Sequence, residues 1–250
     1  MIGTGTINPD HSEWEFMAMS DFDLYYWPMP FRGQLIRALL AYAGQSWSEH
    51  DGDEIETLMS ADAADQPVPF MGPPILVDRR DDIALSQMPA IAAYLGDRLR
   101  LMPEAIGARA MTIKVVNDAN DVIDELTLDG GREMWTREKW TEFTPRLRKW
   151  MRMWEALGEK NGLDADRGYL LGTAEAGVAD IVTSTLWSTM SDRFGSVEGL
   201  FEESAPRTAG LTRRMQRIPA LADLSKAAFE KYGDAYCGGE IEKSLRSVAT

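Results

Sequence analysis

Few residues in this sequence could do chemistry. There is one cysteine, Cys237, and there are two histidines, His11 and His50. A single cysteine rules out a disulfide within the chain, and the same inventory argues against a Cys/His zinc site, so no metal is expected. Two short stretches remain. In Gly72-Pro73-Pro74-Ile75-Leu76-Val77-Asp78 a proline pair stands directly ahead of an aliphatic run. Proline cannot donate to a sheet ladder, so it marks an edge or the first residue of a strand. The pair is either loop punctuation in trans or a cis Pro73–Pro74 link, a form that X–Pro bonds tolerate far better than others. In Tyr25-Tyr26-Trp27 two phenols precede the loop WPMPFRG of residues 27–33, which contains no Ser, Thr, Cys or Asn. A phenol can donate a hydrogen bond. Tyr-Tyr-Trp is equally an ordinary β-prone aromatic cluster.

These stretches need elements to hold them. Residues 1–21 show no sustained period and read as a flexible extension. Asp23–Trp27 is a strand that Pro28 and Pro30 stop, and Gln34–Ala43 is a helix with Leu35, Leu39 and Tyr42 on one stripe and Gly44 after it. Ser46–His50 reads as a second strand and residues 53–65 as a short helix, closed by Pro67 and Pro69. Ile75–Val77 and Ile83–Leu85 are strands split by the turn-like residues 79–82, and Gln87–Leu95 is a helix ended by Gly96. Beyond Met102-Pro103 the texture changes to helices alone: Thr112–Leu126, Arg137–Leu157, Ala179–Phe194 and Thr208–Arg217. Helices that follow a mixed βα unit without interleaving predict two packed domains, 22–100 and 103–250.

Bulk properties exclude several classes of function. A chain of 250 residues, 44% hydrophobic and 26% charged, can bury a real core and is typical of a soluble globular protein. A formal charge of −14 argues against nucleic acid or an anionic membrane surface as partner. No run of about 18 apolar residues exists to span a bilayer. The amino terminus has no basic and apolar leader pattern, so a cytoplasmic location is expected.

The order β-α-β-α-β-β-α, a proline pair opening the third strand and an all-helical second half resemble the cytosolic glutathione transferase family. Three local patterns carry the resemblance. Pro74-Ile75-Leu76-Val77-Asp78, then Ala84-Leu85-Ser86-Gln87-Met88-Pro89-Ala90-Ile91-Ala92-Ala93-Tyr94-Leu95, is similar to the family's cis-proline strand and the helix start after it. Tyr169-Leu170-Leu171-Gly172 with Gly177-Val178-Ala179-Asp180-Ile181 resembles its entry into a buried core helix, and Arg217-Ile218-Pro219-Ala220-Leu221 a late helix junction. Each is weak alone; with Tyr26-Trp27 and Arg32-Gly33 they run in family order over residues 22–230. The resemblance implies a thioredoxin-like domain followed by an all-helical domain, and a homodimer. It also implies glutathione as co-substrate and a small apolar electrophile as the second reactant.

Site residues follow from the same resemblance. A cis bond before Pro74 would leave the backbone at Pro73 open to an extended tripeptide, paired like an added strand. Tyr26, with Tyr25 as the alternative, falls where tyrosine classes keep the donor that stabilises the glutathione thiolate, and Arg32 is placed to meet a glutathione carboxylate. Trp27 falls at the glutathione site, where with Met29 and Phe31 it could also line the electrophile pocket. Gln87 and Met88 fall at the helix start that holds the γ-glutamyl end. There are departures. Pro73 lacks the N–H that the family residue offers, and Met88 replaces a serine with a side chain that donates nothing, leaving Ser86 as a substitute. Loss of a charged hydrogen bond there would cost about 1.5–3 kcal/mol, tenfold or more in affinity. Gly177 stands where Ser or Thr caps the core helix. The alternative reading is a binding or regulatory protein on the same fold with little or no transferase activity. The helical face Asn117, Asp118, Asp121 and Asp124 is either near the site or solvated, and Cys237, in a glycine-flanked tail, is read as incidental.

Overall fold

The computed structural model describes residues 20–249. The expected extension, residues 1–21, therefore lies outside the described residues apart from Ser20 and Asp21, and so does His11. A four-stranded sheet has the order β2 (Trp47–His50), β1 (Phe22–Tyr25), β3 (Ile75–Asp78), β4 (Ile83–Ser86). β1 runs parallel to β2 and antiparallel to β3, and β3 and β4 are antiparallel. The register sets Tyr25 opposite Ile75 and Ile75 opposite Ser86. The end of β1, the head of β3 and the end of β4 thus share one edge, and the residues just beyond them come together there.

Alternation along β1 buries Phe22 and Leu24 in the main core and turns Asp23 and Tyr25 to the other face. Helices α1 (Phe31–Tyr42) and α3 (Met88–Arg98) pack against each other; α2 (Asp53–Ser60) buries only Ile55. That single anchor explains why α2 ends at Ser60 and not at 65. Residues 61–74 are irregular, and the Pro73–Pro74 bond is cis.

From Ile106 onward the described chain is helical: α4 (Ile106–Leu126), a short α5 (Leu128–Gly131), α6 (Arg137–Lys160), α7 (Val178–Ser191), α8 (Gly195–Ser204), α9 (Pro206–Met215), α10 (Pro219–Tyr232) and α11 (Gly239–Ala249). The architecture is thioredoxin-like followed by all-helical, as the sequence implied. Helix α7 is its centre. Residues 178–190 are all buried, and α7 packs against α1, α4, α8 and α9, which is why it is apolar or small and hydroxylated all round. Its start also explains the departure at Gly177. A Cβ there would lie 2.7 Å from the Leu101 carbonyl oxygen, so the chain after α3 leaves no room for Ser or Thr. The carboxylate of Asp180 holds the turn by accepting the N–H groups of Gly177 (3.0 Å) and Leu170 (2.7 Å). Among the described residues no helix is long and apolar enough to cross a membrane.

Candidate active site

At the shared sheet edge lies a cavity of about 320 Å³. Tyr26, Trp27, Met29, Phe31 and Arg32 form one side of it, Pro73 a second, and Cys237, Gly238 and Gly239 a third. Tyr26 follows the last residue of β1 and is only 2% exposed. Its ring is pressed against the first turn of α1: a Cβ on Gly33 would fall 2.4 Å from Tyr26 Cδ1, so only glycine fits. The Tyr26 hydroxyl oxygen accepts the Arg32 backbone N–H at 3.1 Å. That N–H belongs to the unsatisfied first turn of the helix. Because the oxygen is the acceptor in this bond, the phenolic proton remains available to a ligand. Burial pushes the phenol up to about 12, against the opposing pull of Arg32, its N–H and Arg37.

Tyr25 takes a different place. Its ring stacks on His50 with centroids 4.3 Å apart, beside a network in which His50 bonds Asp23 and Glu54 at 2.9 Å each and Arg79 grips Asp23. Tyr25 is not part of the cavity lining.

Two arginines of α1 bear on the site: Arg32 lines the cavity, and Arg37 braces the loop behind it. Arg37 is buried, bonds Glu49 through Nε (2.7 Å) and Nη2 (2.9 Å), and fixes the loop by donating from Nη1 to Met29 O at 3.0 Å. Burial alone would raise the Glu49 carboxyl, but Arg37 and the Trp47 indole N–H outweigh it and hold it below the usual range. Arg32 reaches across to α4, with Nε to Asn120 Oδ1 at 3.3 Å and Nη2 to Asp124 Oδ1 at 3.1 Å. Of the α4 face left open by sequence, Asp124 comes to the site, whereas Asp118 pairs with Lys114.

Gln87 and Met88 stand at the same sheet edge but outside this lining. Met88 is 1% exposed and packed in the core, so its side chain is a structural contact. Its backbone stands in the first turn of α3, at the helix start where the sequence placed it. Gln87 is exposed with φ 72°, a conformation uncommon for a non-glycine residue. Ser86, beside it, is half-buried.

Sequence reasoning missed the third wall. Cys237, expected to be incidental, faces the cavity region, but burial, with the Glu242 carboxylate, pushes its thiol up to about 12, so it is a poor nucleophile. The loop is held from beneath by Glu242, whose Oε2 accepts the N–H groups of Tyr236 and Cys237 (3.0 Å each) and Gly238 (2.6 Å). Gly238 has φ 73°, and a Cβ there would meet Met29 Cε at 2.7 Å. The available signal was the spacing Ile241, Leu245, Val248 after Gly238-Gly239, an amphipathic helix start.

A larger groove of about 850 Å³ runs between the α3–α4 connection and the loop before α7, lined in part by Arg100, Glu104, Arg109 and Glu175. It offers no phenol or thiol, so the chemistry points to the smaller cavity. Among the described residues no group of three His, Cys, Asp or Glu side chains is arranged for a metal ion.

Known structures share this architecture. A major glutathione transferase specific to the nematode C. elegans superposes with a TM-score of 0.67 at 18% identity, covering 83% of this chain and 97% of that one. A monomeric glutathione S-transferase from the hookworm Necator americanus gives 0.66 at 18%, covering 82% and 96%. A Pi-class glutathione S-transferase from Onchocerca volvulus gives 0.65 at 16%, covering 83% and 93%. At such identities the likeness is one of fold. No curated protein matches the sequence. A family model described as the glutathione S-transferase C-terminal domain matches residues 111–248, more than half of the 250. On that match, with a thioredoxin-like sheet ahead of it, the chain belongs to the glutathione S-transferase family.

Proposed function

We propose that the protein is a glutathione transferase in which the Tyr26 hydroxyl donates a hydrogen bond to the sulfur of glutathione docked along Pro73–Pro74. One observation carries this reading: the Tyr26 oxygen is already bonded by the Arg32 N–H, and its proton is left for a ligand in a cavity bounded by Pro73. A free thiol has a pKa of about 8.5 and is only a few per cent ionised at neutral pH. A donor aimed at the sulfur favours the thiolate and lowers that value. With its own pKa near 12 the phenol keeps its proton at physiological pH, so it acts as a donor and the thiol proton leaves to solvent. With a small apolar compound held against Trp27, Met29 and Phe31, the sulfur forms a C–S bond as the leaving group departs with the bonding pair. With a peroxide it takes one oxygen as the O–O bond breaks, and a second glutathione then converts the sulfenic acid to the disulfide and water. Arg32 and the free N–H groups at the start of α3, with Ser86 and Gln87 beside them, meet the two carboxylates of the tripeptide. We place the working enzyme in the cytoplasm as a homodimer, with the domain division at residues 100–103.

Immobilised glutathione and a chlorodinitrobenzene assay test this. Retention, with turnover that collapses in Tyr26→Phe, is the expected result; retention with turnover unchanged in that variant overturns the role of Tyr26. A second reading, a binding protein of the same fold, is favoured by three features: the donor-free buried Met88, the missing N–H of Pro73, and the engagement of Arg32 by Asp124. Absence of both retention and turnover would select it.

A further inference from the structure

We infer that a single water molecule bridges Gln34, Thr185 and Arg193 inside the protein, tying α1 to α7. The three residues come from separate places: Gln34 from α1, Thr185 from α7, and Arg193 from the turn after it. They are 4%, 3% and 8% exposed, and all three line one small cavity of about 10 Å³ whose other walls include the polar Ser188, Thr189, Gln216 and Ser225 beside Ala38 and Ala228. Each carries a buried polar atom without a partner among the described residues: Gln34 Oε1, Thr185 Oγ1 and Arg193 Nη2. The rest of the guanidinium is engaged, with Nε donating to Ala235 O at 2.7 Å, Nη1 to Thr189 O at 3.4 Å, and its carbon 4.3 Å from the Phe229 ring centre. Buried polar groups in native proteins are met by one another or by ordered water, and a cavity of about 10–15 Å³ admits one water.

The donor and acceptor count selects the occupant. Arg193 Nη2 can only donate, Gln34 Oε1 can only accept, and the Thr185 hydroxyl does either. Water accepts from the arginine, donates to the amide oxygen and takes a third bond from the hydroxyl. A halide or carboxylate would satisfy the arginine but would need the Gln34 amide to turn over and present its NH2 group. An ammonium ion would be repelled by Arg193. A neutral molecule that both donates and accepts suits all three atoms as they stand.

High-resolution diffraction from the full chain, with crystals soaked in bromide, tests the assignment. The expected result is one density peak at about 2.7–3.2 Å from the three atoms with no anomalous bromide signal there. A bromide peak would make the site a halide site and overturn the inference. So would the Gln34 amide bonded directly to Thr185 or Arg193 with no density between them. Oxygen-17 relaxation dispersion gives an independent readout: Thr185→Val should lose the amplitude of one long-lived water, and equal amplitude in the two proteins overturns the bridge.

Discussion

Arg32 and Arg37 lie on the same helix, each bonded to a carboxylate, and they behave as different kinds of residue. Arg37 is 3% exposed, makes two bonds to Glu49 and a third to the Met29 carbonyl, and stands 5.8 Å from the centre of the Tyr26 ring. Arg32 makes one bond to Asp124, a side chain 73% exposed, and one to Asn120. Charge type and helix are the same; burial and the number of bonds differ. A buried pair that loses one member leaves an uncompensated charge in the core, whereas an exposed pair competes with water at every moment. The first pair holds the loop on which the phenol depends. The second closes the cavity toward α4 and can open at little cost.

Breaking the buried pair should give the largest effect. The Glu49 side chain is 23% exposed, so Glu49→Ala is expected to lower the unfolding free energy by about 2–3 kcal/mol, below the figure for a fully enclosed pair, read by urea denaturation. The pH dependence has a matching sign. The folded Glu49 carboxyl lies below its unfolded value of about 4.3, so its contribution is present above that pH and is lost as pH falls through the folded value. Glu49→Gln should flatten that acid limb. A variant as acid-labile as the parent would show that the pair is not the source.

Next in size is the phenol held between the two arginines. Tyr26→Phe should reduce kcat/KM by about 10–100-fold, the worth of one hydrogen bond to a charged sulfur, while stability changes by about 1 kcal/mol or less. The pKa of bound glutathione, followed by thiolate absorbance, should rise toward about 8.5 in that variant. Turnover lost through unfolding, with the thiol pKa unmoved, would remove Tyr26 from the chemistry.

The smallest effect belongs to the exposed pair. Asp124→Asn should shift stability by less than about 1 kcal/mol. It frees Arg32, so glutathione affinity should rise a few-fold at low salt, and the gain should shrink at about 1 M salt, where charges are screened within about 3 Å. A loss of stability as large as that of Glu49→Ala would erase the contrast between the two arginines.

Much of this was legible in the sequence because the signals were local. Proline before Ile75–Val77, the stripe Leu35, Leu39 and Tyr42, and the helical period of Ala179–Phe194 each report on their own element. What stayed hidden depends on chain segments far apart. Nothing near Tyr26 says that Cys237 lies across the cavity from it, and nothing near Arg32 names Asp124 in preference to Asp118 or Asp121. Strand alternation left Tyr25 and Tyr26 undivided, because only the face that meets α1 separates them. The start of α4 was missed for a simpler reason: Ile106 is 85% exposed, so its first turns carry no buried stripe to read. At Gly177 the rule about caps was sound but incomplete, since the limit is space beside Leu101 and not hydrogen bonding.

The final helix carries a practical lesson. Ala249 is fully enclosed, and its carbonyl receives the Ser196 hydroxyl, while Glu242 seven residues earlier grips the turn at Cys237. A larger side chain at position 249, such as Ala249→Leu, would push on walls that have no room to give, and α11 would carry that strain back to the turn at Cys237.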